Sequence, residues 1–133
     1  MAKARFLELR VYQLAEELAD AVYDVVQPWE RFDRNTVGEQ LVRACDSIGA
    51  NIAEGYGRGS YQDNRRFVRI ARASLYETQH WLRRAYRRKL LTEEQTARLK
   101  PLLDELGPRL NAYLKSIGRA AKPTEPKPPP PKG

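Results

Sequence analysis

Ten basic side chains and only two acidic ones fall between Arg58 and Lys89, a local charge of +8 in a chain whose formal total is +7. Nine of the ten are arginine, whose planar fork makes paired hydrogen bonds to phosphate and stacks on bases or aromatic rings. At about 100° per residue, Arg65, Arg69, Arg72, Arg83 and Arg87 share one side of a helix with Tyr76 and His80. Arg66, Arg84 and Arg88 widen the stripe along one edge, and Arg58 stands just ahead of it. From Arg65 to Arg88 the stripe would span about 34 Å at 1.5 Å per residue, enough to follow several phosphates. Tyr76 and His80 place rings where unpaired bases stack in single-strand and RNA binders. The chemistry this predicts is binding of a nucleic acid, RNA, DNA or hybrid, through its backbone. No base-reading motif is present, so binding should be mainly sequence-independent and strongly salt-sensitive.

Two other readings remain open. Glu16, Glu17, Asp20 and Asp24, all in the first amphipathic segment, could neutralise the arginines inside the fold or across a subunit boundary. Alternatively the stripe is only a solvated face, although lysine and glutamate of mixed sign serve that purpose as well, and a one-sign stripe repels itself.

A second polar group lies in the text S-I-G-A-N-I-A-E-G-Y-G-R from Ser47 to Arg58. Arg43, Ser47, Asn51 and Glu54 form a strip at spacings of four, four and three residues. It is read as a helix flank bonded to neighbouring helix ends, as an oligomer contact, or as a catalytic group. Catalysis has the least behind it, because no nucleophile stands with a base and Glu54 has no identified mate. The expectation is a protein that is not an enzyme and has no cofactor. Cys45 and His80 are the only residues of their types, too few for any usual zinc spacing or a disulfide framework. Gly55, Gly57 and Gly59 lack the lysine-serine or lysine-threonine ending and the preceding strand of a phosphate loop; a helix stop and a tight turn suit them better.

Four amphipathic segments must position these residues. The first runs from about Leu9 to Gln27, with Val11, Leu14, Ala15, Leu18, Val22 and Val25 as its apolar stripe and Pro28 as its stop. The second is expected to begin near Thr36, where T-V-G-E matches a capping box, and to carry Leu41, Ala44, Cys45, Ile48 and Ile52. The third starts at Ser60, with Asp63 complementing the helix N-terminus, and turns Phe67, Ile70, Ala71, Ser74, Thr78, Trp81, Leu82 and Ala85 toward the core. The fourth opens at Thr92 with a second box, T-E-E-Q, and runs through Leu99, Leu102, Leu103, Leu106, Leu110, Leu114 and Ile117. Gly107-Pro108 should kink or divide it, since proline removes a helical hydrogen bond and restrains the residue before it. Trp29 either closes one end of the bundle or stands out as an anchor. Short breaks and no sustained period-two alternation predict an all-α, up-down-up-down four-helix bundle over residues 1–118.

Residues 119–133, ending K-P-T-E-P-K-P-P-P-P-K-G, should form a disordered, extended proline-rich tail, either a linker or a ligand for a proline-binding domain. The remaining length suits one domain. No apolar run approaches the ~20 residues of a membrane span, no signal-peptide pattern opens the chain, and a single thiol fits a reducing compartment; the expected location is the cytoplasm.

The chain resembles the four-helix bundle proteins first met as open reading frames in intervening sequences of large-subunit ribosomal RNA genes. The resemblance covers nearly all of residues 7–117. It is carried by V-Y-Q-L-A-E-E-L from Val11 to Leu18, Q-L-V-R-A from Gln40 to Ala44, the gapless S-I-x-x-N-I-A-E-G-x-G-R block, and Phe67, Ala71, Ser74, Leu75 and Glu77. Gly49 departs from it, since relatives often have proline there, as do the Gly107-Pro108 break and the proline tail. The resemblance implies a small bundle assembling as a homopentameric ring or barrel. Similar proteins include the accessory variability proteins of diversity-generating retroelements, which partner a reverse transcriptase and bind nucleic acid through a basic surface. A second class of function remains: an oligomeric protein-protein adaptor whose arginines engage an acidic partner protein.

Overall fold

A computed structural model describes residues 5–119. Four helices make up the fold: α1 (Arg10–Val26), α2 (Glu39–Tyr56), α3 (Tyr61–Arg87) and α4 (Glu93–Ser116), with a short 3-10 turn at Arg5–Glu8 before them. Among the described residues there is no strand. Each helix packs on the two beside it, α2 on α1 and α3, and α4 on α1 and α3. Helical turns from Arg31 lead straight into α2, so all three connections are only a few residues long and successive helices run antiparallel around this square. α1 and α3 stand on one diagonal.

The apolar stripes meet in a single core. Leu14 and Leu18 of α1, Leu41, Ile48 and Ile52 of α2, Leu75 of α3, and Leu106 and Leu110 of α4 are its largest fully buried side chains. Burial of such side chains contributes roughly 1.5–3 kcal/mol each before chain entropy is counted. Arg10 adds a fork of two hydrogen bonds to Glu105, 3.2 Å from Nε and 3.1 Å from Nη2, tying the start of α1 to the middle of α4. Hydrogen bonding to Arg10, with a further bond from Arg109, holds the Glu105 carboxyl below its ordinary range.

Two caps occur where the sequence places them. Ser60 Oγ accepts from the Asp63 amide at 3.1 Å, and Thr92 and Gln95 exchange side-chain and backbone bonds in a complete capping box. The box expected at Thr36 does not form. A turn of α-helix at Arg31–Asp33 and a π-helical turn at Arg34–Gly38 run directly into α2. Thr36 Oγ1 instead donates backward to the Phe32 carbonyl at 2.7 Å, as a threonine inside a helix does. Gly38 lets this turn pack closely on α1: a Cβ there would stand 2.7 Å from Val26 and 3.4 Å from the Trp29 ring. Trp29 is half-buried against the core and closes that end of the bundle.

Gly107-Pro108 does not divide the fourth helix. α4 continues through both Pro101 and Pro108. Both prolines are exposed, so each removes a hydrogen bond on the solvent side, while buried Leu99, Leu106 and Leu110 hold the inner side against the core. The C-terminal tail expected to be disordered lies, but for Arg119, outside the described residues.

The core line of α3 is rotated by roughly 40° from the one expected. Val68 and Leu75 are buried, whereas Ile70 is 40% exposed and Phe67 only half-buried. α3 sits at a corner between α2 and α4, so the residues that turn toward α4 gain cover and Ile70 loses it. This rotation swings Arg65 and Arg72 toward α4.

Candidate nucleic-acid interface

The arginines of the third helix and its two flanks divide into three groups. Arg65 and Arg72 are half-buried beside α4. Arg65 Nη1 donates to the Ile117 carbonyl at 3.1 Å, and Arg72 Nη1 donates to Asn111 Oδ1 at 3.1 Å. Both acceptors are neutral, so both guanidinium charges remain uncompensated by these bonds.

Arg58 and Arg66 form the second group, around Phe67. Their guanidinium carbons lie 4.8 and 4.6 Å from the ring centroid, within cation–π range. Each also meets a carboxylate, Glu54 at 3.5 Å and Asp63 at 3.8 Å. These two pairs are exposed and add little to stability, but they lower the local charge at this end of α3.

Arg69, Arg83, Arg84, Arg87 and Arg88 make up the third group. Among the described residues none of them has a carboxylate within 4.0 Å. The acids of α1 belong to the diagonal helix, and none of the described ion pairs joins them to an α3 arginine. Tyr76 stands 57% exposed on this helix. His80 is exposed and meets Trp81 edge-on, 4.7 Å between centroids and 73° between planes. Trp81 is half-buried on the core and donates from Nε1 to Glu77 at 3.1 Å.

The polar strip of α2 is used locally. Asn51 Nδ2 donates to the Ser47 carbonyl at 2.8 Å and to Ser47 Oγ at 3.0 Å, and the Ser47 and Ser74 hydroxyls lie 2.9 Å apart. This chain of bonds crosses from α2 to α3. Arg43 pairs with Glu39 at 3.8 Å, one turn back on its own helix. Glu54 pairs with Arg58, one turn on, at 3.5 Å.

Gly55 is not a helix stop. It is buried inside α2, where a Cβ would stand 2.7 Å from Asn64 Oδ1 and 3.0 Å from both the Asn64 carbonyl and Phe67 Cβ. The helix ends at Tyr56, with Gly57 as its C-cap. Cys45 is fully buried, and burial raises its thiol pKa to about 12. It is therefore a small core hydrophobe rather than a nucleophile.

The residue pattern and the bundle agree with a known family. A family model described as 23S rRNA-intervening sequence protein matches residues 7–112. The chain belongs to this family. A solved structure from Bacteroides thetaiotaomicron VPI-5482, a protein with unknown function from the S23 ribosomal protein family, superposes with a TM-score of 0.69 at 26% identity, covering 79% of this chain and 98% of that one. No curated protein matches. The family thus secures the helical fold, and its description ties it to an element of ribosomal RNA genes.

The α4 contribution was not foreseen in the third-helix pattern. Lys115 and Arg119 join Arg65, Arg69 and Arg72 along one cleft between the two helices. Their only sequence signal is that they are basic residues at the close of the fourth segment, Lys115 directly after Leu114 and Arg119 shortly after Ile117.

Proposed function

We propose that this protein is a non-enzymatic, homo-oligomeric nucleic-acid-binding accessory protein that holds a strand's phosphates on the arginines of α3 and its C-terminal end that have no carboxylate partner. The observation that carries the reading is the unpaired state, among the described residues, of Arg69, Arg83, Arg84, Arg87 and Arg88. Internal pairing with the acids of α1 loses support from their diagonal placement. Arginine's fork then has its donors available for phosphate oxygens. Tyr76 and His80 add rings on which bases can stack.

The family resemblance supports a ring of five copies and a nucleoprotein partner such as a reverse transcriptase as parts of the same proposal, and the single thiol supports a reducing, cytoplasmic location. In a ring the stripe is repeated, and several weak contacts become useful avidity. Among the described residues no helix is long and apolar enough to cross a membrane.

The test is fluorescence anisotropy of nuclease-treated protein with single-stranded, duplex and structured RNA and DNA. The variant Arg83→Gln/Arg84→Gln/Arg87→Gln/Arg88→Gln is compared with one removing equal charge elsewhere, Arg5→Gln/Arg34→Gln/Arg98→Gln/Lys100→Gln. Loss confined to the first variant supports the proposal. Equal losses point to bulk charge alone, and absence of binding with co-purification of an acidic protein would transfer the arginines to the adaptor function.

A further inference from the structure

The last turn of α4, the residues that follow it and the first half of α3 flank an open cleft of about 450 Å³. Five cations line it: Arg65, Arg69 and Arg72 from α3, Lys115 from the last turn of α4, and Arg119 just beyond it. Among the described residues no carboxylate lines it. The α4 C-terminus contributes a partial negative charge of about half a unit, and the Ile117 carbonyl is already engaged by Arg65. The balance strongly favours an anion.

The cleft is also held in shape before any ligand arrives. Arg65 and Arg72 are fixed by Ile117 and Asn111, so less side-chain freedom is lost on binding. Gly118 adopts φ +83°, and a Cβ there would stand 3.0 Å from the Tyr61 ring and 3.2 Å from Arg65 Nη1. Only glycine fits that close, left-handed turn without strain. The turn sets Arg119 beside the arginines of α3.

We propose that this cleft is a binding site for a compact polyphosphate, two or three linked phosphate groups, as found at a triphosphorylated 5′ strand end or in a free nucleotide. Shape separates it from the outer stripe. Arg83 to Arg88 lie on one convex helix surface and suit an extended backbone with one charge per phosphate. The cleft gathers its cations from two helices around a concave space, which suits several charges in a small volume. The inference goes beyond strand binding by α3 and does not require it.

Calorimetric titration with sodium tripolyphosphate at low salt tests the site in the intact chain. Arg69 and Lys115 are the residues to change, because Arg65 and Arg72 also hold α4 in place. Saturable binding should weaken at least about tenfold in Arg69→Gln/Lys115→Gln, from the loss of two charge-assisted contacts. It should change less than about twofold in Arg84→Gln/Arg88→Gln, a much smaller free-energy step. No saturable binding, or equal losses in the two variants, overturns the site. An oligonucleotide with a 5′-triphosphate binding more tightly than its 5′-hydroxyl form, with the gain lost in the cleft variant, supports a strand end as the source. Equal binding of the two oligonucleotides beside saturable tripolyphosphate binding supports a free polyphosphate.

Discussion

Arg65 of α3 donates from Nη1 to the backbone carbonyl of Ile117, the C-cap residue of α4, 52 residues away in sequence at 3.1 Å. A residue of the arginine stripe thus serves the fold as well. The helix end leaves carbonyls without internal partners, and a cation there also complements the helix dipole. Arg65→Ala is expected to cost about 1 kcal/mol, the size of a partly exposed hydrogen bond from a charged donor. Urea unfolding measures the cost, and amide exchange should quicken in the last turn of α4 before anywhere else. Unchanged stability and exchange would remove the structural role.

Gly49 and Gly55 are both inside α2, yet alanine should act oppositely at the two. At Gly49 a Cβ would meet Tyr12 at 3.4 Å and Ala15 at 3.6 Å, near ordinary contact, so Gly49→Ala should stabilise by about 0.5–1 kcal/mol through helix propensity. At Gly55 the added carbon meets Asn64 and Phe67 at 2.7–3.0 Å, and Gly55→Ala should destabilise by about 1–3 kcal/mol. Thermal melts of the two variants decide it; shifts of the same sign contradict the packing of α2 on α3.

Lys89 has φ +62° and closes α3. The Leu90 amide donates to the Ala85 carbonyl at 2.9 Å and the Lys89 amide to Tyr86 at 3.0 Å, the paired bonds of a Schellman motif. That position favours glycine, and a side chain there costs roughly 1 kcal/mol. Lys89→Gly should therefore raise stability by about 0.5–1 kcal/mol, net of the greater freedom glycine gives the unfolded chain. A lower melting temperature would contradict the left-handed turn.

Burial raises the Cys45 thiol to about 12 from an ordinary 9.0, with Asp46 adding to the shift and Thr78 opposing it. The folded value lies above the unfolded one. The stability it carries is therefore whole below about pH 9 and is lost as pH rises toward 12, reaching about 1.4 kcal/mol of loss by pH 10. Unfolding free energies from pH 8 to 10 should fall more steeply in the natural protein than in Cys45→Ala. Parallel pH profiles would mean that the thiol is open to water; Tyr12 and Tyr113, also raised by burial, contribute equally to both proteins.

Features set by local chemistry were legible in the sequence. The stop of α1, the caps at Ser60 and Thr92, and the apolar stripes of α1, α2 and α4 follow from residue type and spacing alone. Three features were not. Thr36 and Glu39 have the spacing of a capping box, but Gly38 packing on Val26 and Trp29 continues the helix through them. Pro108 carries a strong local stop signal, which the buried leucines on either side override. Val68 and Ile70 exchange places because helix rotation depends on which neighbours flank α3, and periodicity fixes the width of a stripe better than its centre.

The same limit applied to the candidate site. The density of arginine in α3 was plain, whereas its division into tethered, paired and unpaired members depends on partners such as Asn111 and Ile117 in another helix. Lys115 and Arg119 join the cleft only through tertiary packing. Ser47 and Asn51, open to an oligomeric reading from their spacing, are bonded to each other and to Ser74 between α2 and α3.

The central claim is that the exposed α3 arginines bind phosphate, and the salt dependence of single-strand binding tests it most directly. If at least four of them each replace a condensed counterion, the logarithm of the affinity should fall linearly with the logarithm of salt concentration at a slope of about −3 or steeper. Each arginine removed from the stripe should lessen that slope by roughly 0.7. No binding at low salt, or a slope unchanged when Arg83, Arg84, Arg87 and Arg88 are all made glutamine, would contradict it.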